Sequence, residues 1–239
     1  MQSSSSEKER LNQISSHWSS TTGVNGQLLI YNYYAFKPFF AGDSCLELGS
    51  ADGQITRLLV NDFSRVVAVD GAEKFVQELK KLNIQNLTPV CSLIEELNLN
   101  EKFSTVVMAH ILEHVENPID VIKIGAKHLD DNGVLLISVP NANSLHRLAA
   151  VKMGLLKQKD ELNETDLMIG HRRVYTPDLM RRHIEEAGLK IKTWGGYFLK
   201  TVSNAQMEKT WTKEMMDAYY EIGKDFPENA AEIYFVCQA

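Results

Sequence analysis

The chain has 239 residues, 44% of them hydrophobic, and a formal charge of −6, which suits one large globular domain or one domain with inserts. It has no basic tract to favour a nucleic-acid partner and no apolar run long enough to span a bilayer. The N-terminal MQSSSSEKER has no apolar core, so no signal peptide is expected, and Cys45, Cys91 and Cys237, far apart and without metal-ligand spacing, are expected to be buried thiols in a reducing cytoplasm.

Residues 1–10 are expected to form a disordered tail. Residues 11–42 crowd Trp18, Tyr31, Tyr33, Tyr34, Phe36, Phe39 and Phe40 ahead of the first apolar run, which predicts one or two helices packed on a sheet. Tyr31 and Tyr34 are three apart and share a helical face. From 44 to 70 the chain reads strand, glycine turn, helix, strand and acid. Ser44–Leu48 is an apolar run ending at Gly49, 54–60 can start a helix straight after Gly53, and 66–69 is a β-branched run ending at Asp70. That is half of a doubly wound nucleotide-binding unit. Small residues in the turn let backbone N–H groups and a helix N-terminus approach a ligand. Asp70 follows Gly49 by 21 residues, close to the spacing of about 20 at which an acid on the second strand tip reaches ribose hydroxyls. The turn carries Gly49, Ala51 and Gly53 rather than G-x-G-x-x-G, and Glu47 stands two residues before the first glycine. A carboxylate there repels a pyrophosphate and suits a ligand with a cationic amino-acid end.

This E-x-G-x-A-x-G stretch resembles motif I of the class I S-adenosylmethionine (SAM)-dependent methyltransferases, E/D-x-G-x-G-x-G, with Ala51 departing from the middle glycine. The resemblance implies SAM as cofactor, with Glu47 facing its amino group. It implies that the turn carrying Gly49, Ser50 and Gly53 follows the methionine portion, with Asp70 and Gly71 on the ribose. It also implies that the preceding helix caps the cofactor, where Tyr31 would hold the cofactor carboxylate or the substrate. The competing assignment for either tyrosine is an amphipathic core face.

Further on, 72–82 shows helical spacing of Phe75, Val76, Leu79 and Leu82, and Leu87–Cys91 reads as a third strand. The resemblance places Ser92 and Leu93 at the adenine edge, with Ser92 in place of the family's usual acid. Phe103–Ala109 is a fourth strand, followed by HILEHVENP. Its Leu112-Glu113-His114-Val115 and Pro118 resemble the L-E-H-V-x-D-P motif of small-molecule methyltransferases, implying that Ala109, His110 and Ile111 line the cofactor and the reaction chamber. His110-x-x-Glu113-His114 also spells an inverted zinc-protease motif. A strand runs into it rather than a long helix, so no metal is expected. A crossover helix over 121–129, with His114 satisfied inside it, a turn over 131–133 and a strand over 134–139 complete an alternation typical of a parallel sheet.

Residues 141–170 break that rhythm with a short helix over 145–156 and a polar loop. Thr176-Pro177 then opens a helix that Gly188 ends. The stretch from Gly170-His171 through Tyr175 to Gly188 resembles a segment of the ubiquinone-biosynthesis-type methyltransferases. A sixth strand falls over 189–194 and a last, antiparallel one over 232–236. Between them, Trp211, Met215 and Tyr219 recur every four residues, as on one helical face.

The expected architecture is α/β: a Rossmann-like, seven-stranded, mostly parallel sheet with helices on both faces and helical lid inserts. A single domain spans 11–239, with capping helices over 11–42 and lids over 141–175 and 199–229. The expected activity is SAM-dependent methyl transfer to an O or N atom of a small-molecule acceptor in the cytoplasm. Histidine titrates in the range a general base needs. His171, on the substrate side, is the first candidate base and His110 the second. His17, His128, His146 and His183 read as surface or packing residues. A nicotinamide-dependent oxidoreductase and a non-catalytic SAM-binding protein are the alternatives, and the sequence leaves the oligomeric state open.

Overall fold

The computed structural model describes residues 4–17 and 19–238. Trp18 and the side chain of His17 lie outside the described residues, as do the first three positions of the expected tail. The first half of the chain runs α1 (Ser4–His17), α2 (Gly23–Phe36), β1 (Ser44–Leu48), α3 (Thr56–Leu59), β2 (Arg65–Asp70), α4 (Glu73–Lys81), β3 (Leu87–Cys91), β4 (Phe103–Ala109) and α5 (Pro118–Lys127). The second half runs β5 (Leu129–Pro140), α6 (Leu145–Lys152), α7 (Glu164–Met168), α8 (Pro177–Glu186), β6 (Lys190–Tyr197), α9 (Asn204–Thr210), α10 (Lys213–Asp225) and β7 (Glu232–Gln238).

The seven strands form one sheet in the order β3-β2-β1-β4-β5-β7-β6. β1 to β5 pair in parallel, and β7 enters antiparallel between β5 and β6. All seven residues of β4 are buried, because a central parallel strand is covered on both faces; its two polar residues, Ser104 and Thr105, hydrogen-bond to Ser44 and Ala41. On one face, Leu46, Val69, Met108 and Ile137 pack under Val121 and Ile122 of α5 and Met180 and Ile184 of α8. On the other, Cys45, Val66, Val107 and Leu136 pack under Tyr33 and Phe36 of α2 and Leu59 of α3. A third apolar cluster joins α2, α9 and α10 through Leu28, Tyr31, Met207, Met216 and Tyr220. The direction of strand order reverses between β1 and β4. Open α/β sheets bind ligands in the crevice beyond the strand ends at such a point.

Several local expectations are corrected. Residues 4–10 are helical, not a tail. Lys8 pairs with Glu96 at 2.7 Å, and Asn12 Oδ1 accepts from the Glu73 N–H at the head of α4. These contacts tie a polar helix across the strand ends. The helix expected over 54–60 shrinks to the four residues of α3. Positions 131–133 do not turn but continue β5, where a register shift absorbs them opposite Phe103 and Thr105. Cys91 is exposed at the end of edge strand β3, while Cys45 and Cys237 are buried. Trp211, Met215 and Tyr219 do not share one helical face. The Thr212 hydroxyl accepts from the Met215 N–H and starts a new helix after Trp211, so the buried face of α10 is Met216, Tyr220 and Gly223.

Candidate active site

The turn after β1 is held open by three left-handed residues: Gly49 (φ +83°), Ala51 (φ +46°) and Gly53 (φ +88°). Glycine takes such angles freely, whereas Ala51 is strained there. The strain is held by hydrogen bonds. Gly49 and Ser50 N–H groups both donate to the Val69 carbonyl, at 2.9 and 3.1 Å. Asp70, at the tip of β2, accepts from the Ala51 N–H at 2.9 Å and from the Ala72 N–H at 2.8 Å. Burial pushes the Asp70 carboxyl up to about 6 against these two donors. Glu47 is 2% exposed, and its Oε2 accepts from the Thr56 hydroxyl at 2.5 Å. Burial pushes Glu47 up to about 8, with the Thr56 bond opposing and the Asp70 charge adding to the rise. The Ser50 hydroxyl is buried with no hydrogen-bond partner.

Glu47, Gly49, Ser50, Ala51, Ala109 and His110 line one small cavity. Thus the turn, the acid before it and the tip of β4 meet at one cavity. Asp70 borders the turn through its bond to Ala51. Gly53 lies behind it, since a Cβ there would stand 2.3 Å from Leu79 Cδ2. Gly71, Ser92 and Leu93 do not line this cavity; Gly71 packs against Leu93 and against Leu11 of α1. A Cβ on Gly71 would meet Leu11 at 2.5 Å and Leu93 at 3.0 Å. The Ser92 hydroxyl donates to the Leu93 carbonyl at 2.8 Å and is engaged locally.

Two predicted site residues stand elsewhere. Tyr31 points away from the turn: its hydroxyl donates to Asp217 of α10 at 2.7 Å and its ring stacks on Tyr220 at 4.5 Å. It is a buried packing residue, as helical periodicity alone suggests. His171 is not among the residues lining the cavity. Its Nδ1 is 3.3 Å from Asp166 Oδ1, and its ring meets that of His114 edge to face at 4.7 Å. His114 itself lies in the turn before α5 and not inside that helix, because the helix begins only at Pro118.

His110 takes φ +54° and hangs its backbone on the Ser138 carbonyl at 3.0 Å. This left-handed step turns its ring into a buried polar nest. Nδ1 is 3.5 Å from Glu113, and Nε2 is 3.7 Å from Glu232 and 3.4 Å from the Tyr197 hydroxyl. Burial alone would lower the His110 pKa, but Glu232 and Glu113 together raise it. Beside the nest, burial pushes Lys200 down to about 8.

Sequence reasoning missed Glu232, Tyr197 and Lys200, which the antiparallel return of β7 and the end of β6 bring to β4. It also missed Ser20 and Gln54 in the cavity wall. Ser20 is held there by its N–H bond to Asp52 at 3.0 Å. Gln54 directly follows the turn's last glycine and lies within reach of the motif; no short motif marks the others, which come in from distant parts of the chain.

A family described as "Methyltransferase domain" matches residues 29–193. The chain is 29% identical over 136 residues to a malonyl-[acyl-carrier protein] O-methyltransferase of Bacillus cereus, covering 56% of this chain and 49% of that protein. It is 29% identical over 99 residues to a ubiquinone biosynthesis O-methyltransferase of Rickettsia canadensis, covering 40% of this chain and 42% of the relative. The chain thus spans about half the length of the curated relatives it matches. In fold it is similar to DhpI, solved as a DhpI-SAM-HEP complex, with a TM-score of 0.64 at 12% identity over 100% of both chains.

Proposed function

The chain belongs to the methyltransferase-domain family, and from that premise we propose that it moves the methyl group of SAM to an oxygen or nitrogen atom of a small or carrier-linked acceptor. Oxygen is favoured, because the names of both curated relatives above specify an O-methyltransferase. The observation that carries the reading is the cavity at the sheet's switch point, where the buried carboxylate of Glu47 and the unpartnered Ser50 hydroxyl face a left-handed turn. The residues fit the cofactor. Glu47 is a counter-charge for its ammonium, and Ser50 is a free hydroxyl for its carboxylate. Asp70 keeps a second lone pair on each oxygen for ribose hydroxyls, and Leu93 with Leu11 supplies an apolar wall for adenine.

When bound, SAM supplies an electrophilic methyl on a sulfonium. The protein's task is to align an acceptor atom with it and exclude water. His110 is the histidine on the cavity wall, so it takes first place as proton acceptor. His171 moves to second, because it sits behind Glu113 and His114. In this reading 11–239 form one methyltransferase domain. The segments 141–175 and 199–229 are its acceptor-side lids, and α1 is the cover over the nucleoside. No described helix is long and apolar enough to cross a membrane, and the three free thiols suit a cytoplasmic location.

Calorimetric titration with SAM, S-adenosylhomocysteine and NAD tests the reading. Binding of the first two is expected, and binding of NAD alone would overturn it.

A further inference from the structure

Behind His110 lies a group of side chains that the methyl-transfer reading engages only through His171, its second-placed proton acceptor, and through Glu113 as a neighbour of His110. Glu113, His114 and His171 each offer a ligand atom, and these atoms lie within 4.8 Å of one another. Glu113 is 1% exposed, and neither of its carboxylate oxygens accepts a hydrogen bond. Its contact with His110 Nδ1, at 3.5 Å through Oε1, leaves Oε2 without a donor; a buried carboxylate short of donors is costly, and a cation would complete it. The histidines are oriented from outside the cluster. Asp166 engages Nδ1 of His171 at 3.3 Å, which leaves Nε2 for a ligand role. Asp166 is itself fixed by Arg147 at 3.2 Å and by the Asn163 N–H at 3.0 Å. The His114 ring lies beside Gly170, where a Cβ would stand 3.8 Å from its Nδ1. A carboxylate or carbonyl on the far nitrogen of a histidine is the usual support of a metal-ligating ring.

The backbone carrying these ligands is clamped as well. Arg172 Nε donates to the His114 carbonyl at 2.9 Å, and the Arg172 N–H donates to the Glu113 carbonyl at 2.7 Å. Arg10 of α1 reaches the His114 and Gly170 carbonyls at 3.3 and 3.4 Å. Both guanidiniums share Glu7 as counter-ion, which limits their repulsion of a cation.

The geometry points to a divalent-metal site of two histidines and one carboxylate, formed by Glu113, His114 and His171. This replaces the sequence expectation of no metal. It also differs from the inverted zinc-protease pattern, because His110 is a neighbour and not a ligand. Ligands about 2.1 Å from a tetrahedral zinc stand about 3.4 Å apart, so atoms now within 4.8 Å of one another need to close by up to about 1.4 Å, within the reach of side-chain rotations. The donor set, two imidazoles and a carboxylate, suits zinc, iron(II), cobalt(II) or manganese(II) rather than calcium or magnesium. Three protein ligands leave a position open, as in catalytic rather than structural sites.

The test uses the full chain, stripped with a chelator and titrated with Co²⁺ while its visible absorption is followed, then challenged with Zn²⁺. One Co²⁺ per chain, displaced by Zn²⁺, is expected. His171→Ala and Glu113→Gln should abolish the bands, and Asp166→Asn should weaken affinity roughly 10–100-fold. His110→Ala and Cys91→Ser should leave the stoichiometry at one. Far-UV circular dichroism confirms that each variant is folded; if His171→Ala is not, Asp166→Asn decides. No uptake by the wild-type chain would overturn the site. So would unaltered uptake in Asp166→Asn, or loss of uptake in Cys91→Ser. SAM affinity is measured separately on the same samples. Failure of SAM to bind with cobalt uptake intact would therefore sink the functional reading alone.

Discussion

Replacing Glu47 with Gln should stabilise the free protein and weaken its cofactor binding. The group is 2% exposed, receives one hydroxyl bond and has its carboxyl pushed up to about 8 from an ordinary 4.5. A carboxyl whose pKa is raised on folding holds its proton more tightly in the folded chain. The stability it contributes is complete below about 4.5 and is lost as pH rises toward about 8. At about 1.4 kcal/mol per pH unit, that loss is about 1 kcal/mol at pH 5.5 and about 4 kcal/mol at pH 8. The glutamine variant keeps the shape and an acceptor for Thr56 but cannot ionise. The wild-type melting temperature should therefore fall relative to the variant by roughly 6–12 °C between those pH values. The cofactor's ammonium favours the ionised form, so wild-type affinity should rise with pH over the same window. The variant should lose a charged hydrogen bond, roughly 1.5–3 kcal/mol or about tenfold to a hundredfold in affinity. The assays are thermal denaturation by circular dichroism from pH 5.5 to 8.5 and calorimetric titration with SAM. Parallel wild-type and variant melting curves across that range would refute the raised Glu47 pKa, and unchanged affinity would refute its place at the ammonium.

Asp70→Asn places an amide donor against the N–H of Ala51 or Ala72; a destabilisation of about 1–3 kcal/mol and weakened nucleoside binding are expected from urea unfolding and calorimetry. His110→Asn should lower single-turnover methyl transfer by roughly 10²–10⁴-fold. In the wild type the rate should climb with pH through a value above 6.5, since Glu232 and Glu113 outweigh burial at His110 and only the neutral ring accepts a proton. The variant should lose that step, and a wild-type profile retained in it would remove His110 from proton transfer. Gly223→Ala would put a Cβ 2.2 Å from the Phe198 backbone nitrogen and 2.6 Å from the Tyr197 carbonyl carbon. Neither can yield without moving β6 or α10, so a loss of about 1–3 kcal/mol is expected by chemical denaturation.

Much of the fold was legible because each parallel strand is a local apolar run and each crossover helix carries its own period. Ser44–Leu48, Leu87–Cys91 and Phe103–Ala109 form strands with the expected bounds. The turn was legible for the same reason: Glu47, Gly49, Ser50 and Asp70 lie within 24 residues, and one strand-turn-helix-strand unit places them. Where a local cap competes with a periodic pattern, the pattern misleads. Thr212 starts a helix in the middle of the stripe from Trp211 to Tyr219.

The sequence alone therefore determined the architecture and the turn after β1 with the acids that flank it, because short-range patterning encodes both. Only the tertiary structure decided the surroundings of Tyr31, His110 and His171. It turned Tyr31 onto Tyr220, brought Glu232 beside His110, and set His171 and Asp166 against Glu113 and His114. Tyr31 and Tyr220, His110 and Glu232, and His114 and His171 are separated by tens to well over a hundred residues; the second pair meets because β7 returns beside β5, the others through helix and loop packing. No spacing along the chain encodes a contact made by strand pairing at that distance.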